Sequence, residues 1–262
     1  MSNTTAIYDR IGIGYDTSRQ ADPRIADEIL ALMAPEPGDL ILDIACGTAN
    51  YTGLLAARGL DMTGVDISTT MLDRAREKHP TLPLLQGSVD QLPVPDDSFD
   101  HVMCTLAIHH FPNLSNAFAE VARVLKDGRF VIFTATAEQT ARYWLRHYFP
   151  NAFERALESE PSIDAITSAL GDAGFNIIDI TKWEVPHELQ DRFAYAGKDN
   201  PAFYFEEGVM DGISLFSNLA EPSEVETGLK ALRADIETGH WQGIRDSYDH
   251  DGGDYSFVVA QC

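Results

Sequence analysis

The sequence predicts an α/β fold: a mostly parallel sheet of seven strands with an antiparallel last strand, helices on both faces, and a helical insertion between strands six and seven. Three observations predict it. Apolar runs without polar alternation recur through the first half, as in strands buried on both faces. Segments of helical periodicity separate those runs, several of them closed by glycine. The second half carries only two further strand signals, with mostly helical patterns between them.

The elements follow in order. Asp22 and Pro23 open the first helix, Asp as N-cap and Pro at the first helical position. Ile25, Ile29, Leu32 and Met33 mark its apolar face. Residues 39–45 read as the first strand, and residues 51–59 as a helix that stops at Gly59. Residues 61–67 are the second strand, after which Ser68 caps a helix carrying Met71, Leu72 and Ala75. Residues 82–87 and 99–108 are the third and fourth strands. The next helix places Leu114, Phe118, Val121 and Leu125 on one face and stops at Gly128. Residues 129–137 are the fifth strand, 138–149 are helical and aromatic, and 162–175 form a helix with a glycine cap. Residues 176–185 are the sixth strand. In the insertion, 223–239 is the clearest helix, opening on a capping box of Ser223 and Glu226. Residues 254–261 are the final strand, expected to lie antiparallel beside the sixth, which makes the intervening helices an insertion and not a separate domain.

Composition narrows the function. The chain has 262 residues, 44% of them hydrophobic, enough for one large domain. Its 41 acidic residues against 19 lysines and arginines give a formal net charge of −22. Such a field disfavours nucleic acid, and no basic cluster overrides it. The odd, widely spaced Cys46, Cys104 and Cys262 fit neither a disulfide framework nor a zinc pattern, so a metal-free site is expected. The first residues have no apolar signal region, and no run approaches the ~20 residues needed to span a bilayer. A soluble cytoplasmic protein without a membrane role is expected, with a homodimer possible.

The chemistry begins at "LILDIACGTANYTG", residues 40–53. A strand runs into small residues and then a helix, whose first amides face whatever sits at the turn. The second strand ends in Asp66, where a carboxylate can take both ribose hydroxyls of an adenosine. A dinucleotide needs glycines so that its pyrophosphate can approach, but here the run is A-C-G-T-A-N. A triphosphate would need a P-loop lysine, and none follows. S-adenosylmethionine (SAM) has no phosphate, and its slimmer methionine part tolerates Ala45 and Ala49 if Gly47 keeps the close approach.

The chain resembles the class I SAM-dependent methyltransferases of the small-molecule type. "LILDIACGTANYT" is similar to that family's first motif and "GVDIS" (64–68) to its second. "QGSVDQLPVPDDSFDHVMCTLAIHHFPNLSNAFAEVARVLKDGRFVIFT" (86–134) is similar to the stretch from the adenine loop to the fifth strand. The likeness covers about residues 8–137. It implies a Rossmann-like fold in a single domain: an N-terminal lid at 1–21, a SAM-binding core at 22–137, acceptor-side helices and insertion at 138–253, and the last strand at 254–262. It implies that Asp43 holds the cofactor's ammonium through water and supports the turn, that Ala45 offers its carbonyl, and that Gly47 permits close packing. Asp66 binds the ribose, Ile67 lies on the adenine face, and Ser88 and Val89 read the adenine edge. The family often has Asp where Ser88 stands; a hydroxyl bonds the adenine amine less strongly than a carboxylate. Tyr15 and Arg19 fall where the lid closes, with Arg19 either pairing the methionine carboxylate or lying on the surface.

On the acceptor side, His109 and His110 follow the fourth strand and are the expected general-base candidates, since imidazole titrates near neutrality. Tyr143, Trp144, His147, Tyr195, Phe203 and Tyr204 either wall a pocket over the methyl or belong to the core. The expected function is transfer of a methyl group from SAM to an oxygen or nitrogen of a small molecule. The alternatives are a SAM-binding regulator or pseudo-enzyme, a protein methyltransferase, and an NAD-dependent oxidoreductase, which the alanine-bearing turn opposes.

Overall fold

Seven strands make one sheet: β1 (Leu40–Ile44), β2 (Asp61–Asp66), β3 (Leu84–Gln86), β4 (His101–Thr105), β5 (Arg129–Thr134), β6 (Asn176–Trp183) and β7 (Tyr255–Gln261). Their order is β3-β2-β1-β4-β5-β7-β6. This computed structural model describes residues 19–262; Tyr15 and most of the expected lid lie outside the described residues. The first five strands are parallel, and β7 lies antiparallel between β5 and β6.

The chain leaves β1 toward β2 and β3, then returns to β4 on the other side. That reversal opens a crevice beyond the carboxyl ends of β1 and β4, where ligands of such sheets bind. The pairs Ile44↔Val65 and Cys104↔Ile132 bring the strand ends level there.

Alternate residues of the central strands feed two cores. Ile41, Met103, Val131, Phe133, Phe257 and Val259 pack on one face, and Leu42, Ile44, Val102, Cys104, Ile132 and Val258 on the other. The helix α1 (Pro23–Met33) covers the first face, capped by Asp22, whose carboxylate accepts the Arg24 amide hydrogen. Helices α2 (Asn50–Ala57) and α3 (Thr69–Lys78) follow β1 and β2, with Ser68 capping α3. Helix α4 (Leu114–Val124) covers the second face.

Three local expectations are corrected. Helix α4 ends at Val124, not near Gly128, because Leu125 turns extended to bridge Phe99. Gly128 is needed for another reason: a Cβ there would lie 1.8 Å from the Asp100 carbonyl oxygen. Residues 138–149 are not one helix. A single turn, α5 (Ala137–Thr140), opened by a Thr136–Gln139 capping box, gives way to a 3-10 turn at Trp144–His147. Helix α6 (Pro150–Ser159) then starts on Pro150, and α7 (Ile163–Asp172) follows with Ser162 as its cap.

The insertion between β6 and β7 holds 3-10 turns at Pro201–Phe205 and Met210–Gly212, a π turn at Leu215–Leu219, and helices α8 (Pro222–Thr238) and α9 (His240–Ser247). The Ser223–Glu226 capping box does not form. Pro222 takes the first helical position with its pre-set φ, which moves the N-cap back to Glu221 and leaves Ser223 inside the helix. Phe193, Tyr204, Ile213, Phe216 and Leu232 of this region share the core of the first sheet face.

Candidate active site

The turn after β1 has three left-handed residues: Ala45 (φ 55°), Gly47 (φ 56°) and Ala49 (φ 59°). L-residues other than glycine pay roughly 1–2 kcal/mol for that region, so both alanines are strained. A Cβ on Gly47 would meet no atom within 4 Å, because this face of the turn opens on a cavity. Asp66 is buried at the end of β2. Its Oδ2 accepts the Gly47 amide hydrogen and its Oδ1 the Ser68 amide hydrogen, both at 2.8 Å. Each carboxylate oxygen keeps a lone pair for a ligand. Burial raises the Asp66 pKa, opposed by the amides of Ser68, Gly47 and Ile67. Asp43, also buried, accepts from the Thr52 hydroxyl at 2.6 Å, and burial lifts its pKa to about 7. A cationic group beside Asp43 would restore its charge.

The cavity measures about 720 Å³. At one end Ile67, Ser88, Val89 and Asp90 line it. The Ser88 hydroxyl accepts the Asp90 amide hydrogen at 3.3 Å. Asp90 Oδ1, by contrast, is shut from solvent without a hydrogen-bond partner.

At the other end lie His109 and His110, on a 3-10 turn (Ile108–His110) after β4, with ring centroids 3.8 Å apart. Burial, and then the Arg19 charge, push the His109 pKa down to about 4. Burial and His109 push His110 well below its ordinary value. Both imidazoles are therefore neutral near pH 7. The loop that presents them holds Leu106 at φ 53°, a strained position for a branched side chain. Arg19 lines the same space, paired with buried Asp191 at 2.5 Å, and Asp191 also accepts from the Tyr51 hydroxyl at 3.0 Å. Three further wall residues carry buried oxygens without partners: Thr105 Oγ1, Thr140 Oγ1 and Glu160 Oε2. Burial lifts the Glu160 pKa to about 8. Among the described residues no group of His, Cys, Asp or Glu side chains could hold a metal ion.

Comparison with known proteins gives this cavity a family. The model for "Methyltransferase domain" matches residues 42–133. A demethylmenaquinone methyltransferase of Streptomyces avermitilis is 30% identical over 173 residues, covering 65% of this chain and 72% of that protein. A solved structure from Anabaena variabilis, assigned as a methyltransferase from an antibiotic biosynthesis pathway, is 34% identical with a TM-score of 0.83, covering 94% of this chain and 99% of that one. The chain belongs to the class I SAM-dependent methyltransferases. A malonyl-[acyl-carrier protein] O-methyltransferase of Serratia marcescens is 28% identical over 50% of this chain and 51% of its own. The chain thus spans about half the length of the first curated relatives it matches.

SAM is the cofactor of this methyltransferase fold, and the wall fits it. The two carboxylate lone pairs of Asp66 suit vicinal hydroxyls, Asp90 Oδ1 on the same wall is without a donor, and the open face of Gly47 leaves room for a slim chain. The structure brings Arg19, Asp43, Ala45, Gly47, Asp66, Ile67, Ser88, Val89, His109, His110 and Tyr143 to one cavity. It does not bring Trp144, His147, Tyr195 or Tyr204 to that wall. Trp144, Tyr195 and Tyr204 are buried in the core, where Tyr195 stacks on Tyr143 at 3.8 Å and the Trp144 indole donates to the Lys198 carbonyl at 2.9 Å. Asp90, Thr140, Glu160 and Asp191 of this methyltransferase were missed from sequence. Asp90 sits two residues from Ser88 and could have been found as the nearest carboxylate. The others come from separate elements and carry no local motif.

Proposed function

We propose that the protein transfers the methyl group of SAM to an oxygen or nitrogen of a small, largely apolar molecule. One observation carries this: a single cavity joins the turn after β1 to the region beyond β5, lined by the carboxylates Asp66 and Asp90 that follow β2 and β3 and by the unpaired oxygens of Thr105, Thr140 and Glu160. The names of two relatives, a demethylmenaquinone methyltransferase and a malonyl-[acyl-carrier protein] O-methyltransferase, support a small acceptor group, and the second of them names an oxygen.

In this reading Asp66 takes the ribose hydroxyls, Ile67 lies on the adenine, and Asp90 takes the adenine amine that Ser88 serves in part. Asp43 faces the cofactor's ammonium, and Ala45 and Gly47 line its methionine part. Arg19, oriented by Asp191, faces the carboxylate. Bound there, SAM supplies a methyl group on a sulfonium, open to in-line displacement. A pocket that becomes dry once the acceptor fills it favours loss of the sulfonium charge. His109 and His110, held neutral, align the acceptor by hydrogen bonds; an imidazolium of pKa about 4 belongs to a weak base. Residues 138–253 supply the acceptor side.

Calorimetry with SAM, NAD and ATP tests the cofactor, and SAM alone should bind. Formation of S-adenosylhomocysteine with a metabolite extract tests turnover. SAM binding without turnover of any extract would favour a SAM-binding regulator.

A further inference from the structure

Glu160 directly follows α6, and its amide donates to the Ala156 carbonyl at 3.0 Å, so the helix end fixes its backbone. Its side chain lines the cavity, with Oε2 shut from solvent and unpartnered. Thr140 Oγ1, buried on the same wall, is unpartnered as well. Leaving such groups unpaired costs free energy, which a bound donor would recover. The surrounding wall is aromatic. Tyr143, Phe153, Phe193 and Tyr255 all line the cavity, and Glu160 lies near enough to Tyr143 and Tyr255 to help raise both phenol pKa values. The wall's arginine, Arg19, is engaged by Asp191.

We infer that Glu160 recognises a basic nitrogen on the methyl acceptor, which is therefore an amine carried on an apolar or aromatic frame. The inference rests on reading the cavity as a joint cofactor and acceptor chamber, and it goes further by naming the acceptor's chemistry. A protonated amine supplies all that the recess lacks: N–H donors for Oε2, a positive charge that favours the ionised carboxylate against the burial that otherwise keeps it protonated, and a cation for the aromatic faces. A neutral hydroxyl supplies only the donor. The net charge of −22 also draws cations toward the protein.

The test uses the full chain saturated with S-adenosylhomocysteine. Benzylamine, phenethylamine and their isosteric alcohols are the probes, read by calorimetry at pH 7. At least one amine should bind about tenfold or more tightly than its alcohol. Glu160→Gln should erase that preference while S-adenosylhomocysteine affinity stays within about twofold, and Thr140→Val should keep the preference. Failure of every amine to bind, equal binding of amine and alcohol, or a preference retained in Glu160→Gln would overturn the assignment. No binding of S-adenosylhomocysteine to the wild-type protein would overturn the cofactor reading, and the acceptor assignment with it.

Discussion

Asp66 Oδ2 accepts the Gly47 amide hydrogen at 2.8 Å, so the carboxylate at the end of β2 and the turn after β1 brace one another. Substitution of Asp66 therefore acts twice. Asp66→Ala should weaken SAM binding by on the order of 1.5–3 kcal/mol for each charge-assisted bond lost. It also orphans the Gly47 and Ser68 amides, which should lower folding stability by ~1–3 kcal/mol. Calorimetry and urea unfolding separate the two effects. Unchanged SAM affinity would show that Asp66 is not the ribose ligand.

The two alanines of the turn should respond differently to glycine. Ala45→Gly relieves a left-handed residue at φ 55°, and after the entropy cost of glycine the protein should gain ~0.5–1 kcal/mol. Ala49→Gly relieves similar strain but removes a methyl packed against Leu72, Ala75 and Leu84. Losing that contact costs about 0.8 kcal/mol, so the change should be close to neutral. Paired denaturation curves check both; a clear loss in Ala45→Gly would contradict the strain argument.

Adenine recognition should depend more on Asp90 than on Ser88. Asp90→Ala should weaken SAM binding about tenfold, and Ser88→Ala about threefold or less, because the serine hydroxyl is already used by the Asp90 amide. The reverse ranking would return the role to Ser88.

The histidines should not produce an inflection in rate near neutrality. His109 titrates at about 4, so kcat/KM should be level from pH 6 to 8 as far as it is concerned and fall only toward pH 4. His109→Ala should lower turnover by about 10–100-fold, the loss of an aligning contact, with SAM affinity little changed. A step near pH 6.5 that disappears in His109→Ala would restore the base role.

Glu160 should couple stability to pH. Its pKa is raised in the folded state to about 8 from 4.5, so below 4.5 it is neutral in both states and imposes no ionisation cost. Above 4.5 only the unfolded chain ionises, and stability falls until about pH 8, where the loss levels at ~3–5 kcal/mol. In Glu160→Gln the decline between unfolding curves recorded at pH 5 and 8 should be smaller, leaving the part that the raised pKa of Asp43 contributes. An unchanged decline would place the titrating group elsewhere.

Much of the sheet, and the part of the cavity wall after β1 and β2, was legible because contiguous residues encode them. Asp43, Gly47 and Asp66 sit at strand ends that apolar runs announce, and Asp22 and Ser68 cap helices as their side chains predict. The cavity wall beyond β5 was less legible. A cluster such as Tyr143–Trp144 states that a segment is buried but not which way it faces, because a 3-10 turn of four residues has too short a period to define a side. Trp144 turned to Tyr204 and Trp241, while Tyr143 reached the cavity. Glu160 and Asp191 gain their surroundings from elements distant in the chain, and no spacing signals that.

Strand β7 lies between β5 and β6, and every ladder partner of β6 falls in residues 255–261. On the ribosome, β6 therefore emerges with no neighbour to join, its Ile177, Ile178 and Ile180 facing water and one edge of β5 bare beside it. The half built on β1 to β5 can assemble as it is made, but the other half must wait until residue 261 is free of the exit tunnel. During that interval two unpaired strand edges invite pairing with other chains. Newly made protein should for that reason depend on chaperones more than the finished molecule's stability would suggest, and chains cut short before residue 255 should collect in inclusion bodies.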